Sequence, residues 1–218
     1  VNRTPFLLAT RSAGKLRELR QLFDRAGIFV IDLAQAGITE ATDEESIESW
    51  DTFEENALAK AQYFQRRSGL PTFADDSGLA VDALRGRPGV LSKRFSGRTD
   101  LTGAALDAAN NAALHADLRR NASIPSPAAF VCAAAYADET DAVVRTGRTT
   151  GMIISEPRGT HGFGYDPHFL SDELGITFGE APTEAKSTVS HRARAFAALL
   201  DALRQMPRDP LHQPGRLG

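Results

Sequence analysis

Ten consecutive residues, Ala128 to Ala137 (AAFVCAAAYA), carry no charge, and the Tyr136 phenol is their only strong hydrogen-bonding side chain. A run of this kind has no face to offer water. It must be covered on both sides, so the rest of the chain has to supply two covering layers. Phe130, Val131 and Tyr136 favour a central strand, while the alanines leave a helix open. Asp138 to Asp141 reads as a turn, and Val143 to Thr149 reads as the partner strand of a hairpin.

The covering layers are legible on either side of this run. Phe6 to Ala9 is a short apolar strand. Leu16, Leu19, Leu22, Phe23 and Ala26 then recur at helical spacing, and Gly27 closes that helix. Ile28 to Ile31 reads as a second strand, and Asp32 to Asp51 as an acidic loop with room for a short helix. Thr52-Phe53-Glu54-Glu55 has the form of a capping box, opening a helix to about Arg67 that buries Phe53, Ala57, Ala61 and Phe64. Pro71 to Ala74 is a strand, and Leu79 to Leu84 either extends it or bends away. Arg85 to Asp100 and Glu156 to Pro167 read as loops, and Thr102 to Arg120 as an alanine-rich helix. Ser190 opens a last helix with Phe196, Leu199, Leu200 and Leu203 on its core face. Strands alternating with helices around a central hairpin predict an α/β protein with a mixed sheet.

The 218 residues suit one large domain, expected over 1–206, with Pro207 to Gly218 as a mobile tail. A net charge of −3 gives no broad basic field, which argues against a nucleic-acid polymer as partner but leaves room for a small anionic ligand. The single cysteine, Cys132, lies inside the apolar run and reads as buried packing. No apolar stretch reaches the roughly 18 residues of a membrane span. Val1 to Thr10 lacks a cleavage-like pattern and is needed for the first strand, so it reads as mature structure, and a cytoplasmic location is the default expectation.

Four stretches could carry chemistry. Thr10-Arg11-Ser12-Ala13-Gly14-Lys15 joins a strand to a helix, where backbone N–H groups and a lysine favour an anion; taken alone, an ordinary N-cap with a solvated lysine is the commoner arrangement. It is not a Walker A loop, because Leu16 stands where Ser or Thr is required. Asp75-Asp76-Ser77-Gly78 puts two acids at the end of an apolar strand, a hard-oxygen pair that suits Mg²⁺ and could activate water; a solvated turn is the alternative. Phe163-Gly164-Tyr165-Asp166 sits in a glycine-rich loop whose rings could lie against a base or plug the core. Lys186, His191 and Arg192 gather cations at the start of the last helix, where they oppose its dipole unless an anion or an electron-rich edge lies between them. Lys60 reads as an exposed residue of its helix.

Taken in order, LLATRSAGKLREL, TFEENALAKA, FADDSGLAVDAL, GRPGVLSKRFSG, GFGYDPHF and EAKSTVSHRARAF resemble the inosine/xanthosine triphosphate pyrophosphatases, the HAM1-like enzymes of noncanonical purine nucleotides. The likeness runs from about residue 6 to 200. It implies an elongated mixed α/β sheet with flanking helices, two lobes around a central cleft, a homodimer, Mg²⁺, and cleavage of a purine nucleoside triphosphate such as dITP or XTP to monophosphate and pyrophosphate. By position, Thr10, Arg11, Ser12, Ala13, Gly14 and Lys15 match the triphosphate loop. Asp76 matches the catalytic base and a metal ligand, Glu48 a second metal ligand, and Ser77 a substrate contact. Phe163, Gly164, Tyr165 and Asp166 match the base-binding loop, and Lys186, His191 and Arg192 match contacts to base and phosphates. Two departures stand out: Arg11-Ser12 replaces the usual Gly-Asn, and Trp50 stands where glycine is usual. The nearest rival implied is a Maf-like pyrophosphatase of other base preference; a non-catalytic nucleotide sensor is the rival outside enzymes.

Overall fold

The computed structural model describes residues 4–121 and 123–211. Residues 212–218 of the expected tail, and residues 1–3 of the amino-terminal stretch, lie outside the described residues. The apolar run is a strand, β4 (Ser126–Ala137). It is buried on both faces for most of its length, so the helical alternative falls away. Its neighbours are β3 (Thr72–Val81) and β5 (Ala142–Ile153) in a six-stranded sheet that also holds β1 (Phe6–Leu8), β2 (Val30–Asp32) and β6 (Phe169–Ser171), in the order β2-β1-β3-β4-β5-β6. β1 pairs in parallel with β2, Phe6 opposite Val30, and with β3, Leu7 opposite Thr72; β5 and β6 run antiparallel. The sheet is therefore mixed, as expected.

The turn after β4 is built by Asp138. Its carboxylate accepts from the Thr140 and Asp141 N–H groups, both at 2.8 Å, and from the Tyr136 hydroxyl at 2.9 Å. Three further elements lie close to their expected bounds: α1 (Ala13–Arg25), α2 (Phe53–Ser68) and α3 (Gly103–Arg120). Thr52 caps α2 as its sequence predicts, accepting from the Glu55 N–H at 3.2 Å and donating to the Glu55 carboxylate at 2.6 Å. α4 (Thr183–Val189) was not anticipated, and α5 (His191–Arg204) follows directly after Ser190.

The chain divides into two compact units, with the boundaries inside β3, β4, β5 and α5. The first comprises the residues up to Asp76, Ala133–Gly147 and those from Ala193 onward. Its sheet shows strand periodicity as two different layers. Leu7, Ala9, Ala74, Ala133, Ala135 and Ala137 pack with Ala57, Ala61 and Phe64 of α2. One residue out of phase, Phe6, Phe73 and Tyr136 meet Phe23 of α1 and Phe196 of α5, with Phe23 and Phe73 ring centroids 4.7 Å apart. Alanines line the face under α2, and aromatics fill the other face under α1 and α5. The second unit, Ser77–Cys132 with Arg148–Arg192, has its own core of Leu79, Val81, Leu114, Leu118, Phe130, Ile153, Phe169 and Phe178.

One local expectation is corrected. Asp75-Asp76-Ser77-Gly78 is neither a turn nor a strand end. It lies in the middle of β3, which runs unbroken for ten residues. The turn preference of Asp-Ser-Gly is overridden because the flanking apolar residues Phe73, Ala74, Leu79 and Val81 are all buried.

Candidate active site

The first unit gathers charge around the acid pair. Asp75 is fully buried and Asp76 is 6% exposed. Isolated carboxylates are not tolerated at such depth, and the neighbours supply compensation. Lys15, from the first turn of α1, lies 3.1 Å from the Asp75 carboxylate. Asn56 of α2 donates to the Asp76 carboxylate at 3.0 Å. Lys60, one turn further along α2, is buried and forms an ion pair with Glu48. This corrects the reading of Lys60 as an exposed residue. Burial alone would lower the Lys60 pKa, but Glu48, Asp75 and Asp76 outweigh it and raise it. Burial holds the Asp76 carboxyl above the ordinary carboxylate range; Lys15 and Lys60 pull it down, while Glu48 and Asp75 push it up.

Three carboxylates thus face two ammonium groups. The donors are all hard oxygens and the cluster carries surplus negative charge, which is the chemistry a divalent cation such as Mg²⁺ fits. Among the described residues, no group of three or more His, Cys, Asp or Glu side chains has ligating geometry by itself. A cation here would take one or two of these carboxylates and complete its shell with water and substrate oxygens.

The triphosphate-loop candidates sit at the mouth of α1. Ser12 is its N-cap, accepting from the Lys15 N–H at 3.4 Å, and its own N–H donates to the Thr10 hydroxyl at 3.2 Å. Ala13 and Gly14 open the helix, where N–H groups lack intrahelical acceptors. Arg11 turns elsewhere. Its guanidinium grips Glu44 with two bonds of 2.7 Å, which raises the Arg11 pKa and holds Glu44 below the usual range. Arg67 of α2 grips the same carboxylate at 2.9 Å. The bulky side chain that replaces the usual glycine is therefore engaged with the 39–46 segment. Trp50 resolves in a similar way. Its side chain is 52% exposed, and its backbone N–H and C=O are both taken by the Asn56 amide, at 3.0 and 3.1 Å. Among the described residues, the hydrogen bonds of residue 50 to Asn56 are made by its backbone, so a tryptophan can stand in a glycine position.

The second unit builds a different cluster around Phe163. Lys186 of α4 and Arg192 of α5 sit 5.4 and 5.9 Å from the Phe163 ring centre, within cation–π range. Lys186 forms a buried ion pair with Asp166 at 2.5 Å, and the same carboxylate oxygen accepts from the Phe163 N–H at 2.9 Å. Arg192 donates to the Ser77 hydroxyl at 2.8 Å. His191 stacks on Phe130 with ring centres 4.8 Å apart and planes 11° from parallel. The loop's two aromatics part company. Phe163 keeps part of its ring open, whereas Tyr165 is buried and its hydroxyl donates to the Ser92 carbonyl at 2.9 Å. Tyr165 is thus an anchor of the loop in the core and is removed from the set of rings available to a ligand. Gly162, at φ +75°, is required as glycine, since a Cβ there would lie 1.9 Å from the Asp166 carboxylate.

Asp76, Lys15 and Glu48 thus come together in the first unit, and Ser77, Phe163, Asp166, Lys186 and Arg192 in the second; Asp76 and Ser77 are consecutive residues of β3. Asn56 escaped the sequence reading. Its signal was available: Asn56 and Lys60 are polar residues four apart on the face of α2 that carries Ala57, Ala61 and Phe64.

A buried acid–lysine cluster beside a helix-opening loop, and an aromatic ring flanked by cations, define a nucleotide-handling α/β protein. A profile of the Ham1 family matches residues 6–202, and the chain belongs to that family. It is 44% identical over 204 residues to the dITP/XTP pyrophosphatase of Burkholderia pseudomallei, covering 92% of this chain and 94% of that one. Among solved structures it is similar to a HAM1 protein from Coxiella burnetii (TM-score 0.79, 30% identity, 94% of this chain and 100% of that one). It is also similar to the nucleoside-triphosphatase/dITP/XTP pyrophosphatase of Mycobacterium abscessus (TM-score 0.67, 43% identity, 92% and 100%).

Proposed function

We propose that the chain is a nucleoside triphosphate pyrophosphatase that hydrolyses noncanonical purine nucleotides, dITP/ITP and XTP/dXTP, to the monophosphate and pyrophosphate. The observation that carries this reading is the buried Asp76, poised above its ordinary pKa among Lys15, Lys60, Glu48 and Asp75. Kinship with the Burkholderia dITP/XTP pyrophosphatase supports the substrate class.

In this reading water attacks the α-phosphorus, the bond from that phosphorus to the α–β bridging oxygen breaks, and pyrophosphate departs with the bond's electrons. Asp76 orients the water and accepts its proton; a carboxylate whose pKa is raised is the better base. Lys15 and the N–H groups of Ala13 and Gly14 stabilise the charge that builds on the leaving group. Glu48 and Asp76 would hold Mg²⁺, with Lys60 fixing Glu48. When bound, the ion neutralises phosphate oxygens and eases ionisation of water.

The base reading follows from donor chemistry. Lys186 and Arg192 are donors without acceptor capacity, and both flank Phe163. A 6-oxo purine offers them an acceptor, whereas the 6-amino group of adenine would set donor against donor. The reading also takes the enzyme as a cytoplasmic homodimer of one two-lobed domain over 1–206, an expectation from the family likeness. Among the described residues, no helix is long and apolar enough to cross a membrane.

The test is a substrate panel with Mg²⁺ and product identification: dITP and XTP against dATP, dTTP and UTP. Monophosphate and pyrophosphate from the first two, far faster than from the others, is the expected result. Preference for dTTP or UTP would make it a Maf-like enzyme instead, and binding without turnover would make it a sensor.

A further inference from the structure

The loop around Phe163 is held from an unexpected direction. Helix α3 carries Asp107, Asn111 and His115 at successive four-residue steps, which places them in one line along its surface. The Gly164 N–H donates to the Asp107 carboxylate at 2.8 Å, and the Asn111 side-chain amide donates to the Gly164 carbonyl at 2.9 Å. Asn111 is itself steadied by a second donation, to the Asp107 carbonyl at 2.9 Å. His115 continues the line with a 2.8 Å bond between ring nitrogens to His168.

These bonds matter because Gly164 has no side chain of its own to hold it in place. It sits at φ +62°, and a Cβ built there would meet nothing within 4 Å. Its neighbour Phe163 is then fixed by two carboxylates, Asp166 on its own N–H and Asp107 on the N–H that follows. With both flanking N–H groups tied, the backbone of Phe163 is restrained, and with it the direction in which its Cα–Cβ bond leaves the chain. Tyr165, buried on the other side of Gly164, anchors the remaining end.

We propose that Asp107 and Asn111 are positioning residues for base recognition: by clamping both backbone groups of Gly164, they aim the Phe163 ring at the purine. The proposal rests on the reading of this loop as the base-binding loop. The role assigned to Asp107 and Asn111 is exerted through Phe163, by way of their bonds to Gly164.

The experiment is steady-state hydrolysis of dITP with Mg²⁺ by the full chain carrying Asp107→Ala, Asn111→Ala, Asp107→Asn or Phe163→Ala, with a thermal melt for each. Phe163→Ala, which removes the ring itself, is expected to raise KM. Loss of either clamp residue is expected to raise KM about tenfold, the effect of one lost ordering hydrogen bond, with kcat within about twofold. Asp107→Asn keeps an acceptor oxygen for the Gly164 N–H and is expected to restore KM, which a general structural lesion would not do. If Phe163→Ala raises KM while folded Asp107→Ala and Asn111→Ala do not, the clamp is dispensable and the proposal is overturned, with the loop reading intact. If Phe163→Ala leaves KM unchanged, the loop does not hold the base and both fall. Should an alanine variant fail to fold, Asp107→Ser and Asn111→Ser are read on the same axes; a drop in kcat at constant KM in any of them also overturns the proposal.

Discussion

Asp76→Asn separates the two costs that meet at the site. The change keeps the shape of the side chain and an oxygen able to accept from Asn56, now 3.0 Å away, so the hydrogen bond that orients the group survives. What is lost is the ability to take a proton, together with the negative charge that would help hold Mg²⁺. Removing a positioned proton acceptor lowers turnover by about 10²–10⁴-fold, or roughly 3–5 kcal/mol on the barrier. Stability moves the other way. Burial raises the folded-state pKa of Asp76 above the unfolded value, so the folded chain binds protons that the unfolded chain releases in that window. Stability contributed by this group therefore falls as pH rises, and at pH 7 its buried charge is a net penalty. The neutral amide carries no such penalty. The measurements are pyrophosphate release from dITP with Mg²⁺ and the denaturant midpoint at pH 7 without it. The expected pair is a large loss of turnover with a midpoint equal to or above that of the parent. A folded variant with turnover within about tenfold of the parent would remove Asp76 from the chemistry. A clearly lowered midpoint would refute the charge accounting.

Two further outcomes follow from the second unit. Burial, with His168 and Arg119 nearby, lowers His115 to about 4 from an ordinary 6.5, so the unfolded chain takes a proton that the folded chain refuses between those values. Its stabilising effect is complete above pH 6.5 and is lost as pH falls; from pH 7 to 5 the parent should lose about 2 kcal/mol more than His115→Gln in denaturant titrations, and parallel profiles would refute it. Gly162→Ala sets a Cβ against the Asp166 carboxylate that holds Lys186 and the Phe163 N–H, whereas Gly164→Ala at φ +62° meets open space. Gly164→Ala should cost only the left-handed backbone term, about 1–2 kcal/mol, while Gly162→Ala should cost more in the melt and also raise KM for dITP; equal effects would sink the assignment of Asp166 as the loop's brace.

The long elements could be read from sequence because their signals are local and repeated. The β4 run, the cap at Thr52 and the periodicity of α1 and α5 each carry several agreeing residues. β6 and α4 could not, since three residues of strand and seven of helix are too short for a period to declare itself. The acid pair was legible as chemistry but misread as geometry. Asp, Ser and Gly favour turns when solvated; burial of the flanking apolar residues holds them in a strand, and tertiary partners such as Lys15, Asn56 and Arg192 meet their polar groups there. The fate of Lys60 was hidden for a related reason: a lysine on an amphipathic helix reads as solvated until an acid from another segment, Glu48, is seen to meet it.

The two departures from the usual pattern bear on how such a site tolerates change. A glycine can be demanded for its torsions, for close approach, or merely tolerated because nothing contacts its hydrogen. Position 50 is of the last kind: Asn56 reads the backbone alone, and the tryptophan side chain turns outward. Position 11 has gone further, since Arg11 has acquired partners of its own in Glu44, which also receives Arg67 and the Ala41 N–H. The result is a tie from the loop preceding α1, through the 39–46 segment, to the last turn of α2. Lys15 and Lys60 stand on those same two helices. A substitution that seems to spoil an anion-binding loop can therefore stiffen the frame that holds its lysines, because the loop's chemistry resides in backbone N–H groups and Lys15, neither of which Arg11 replaces.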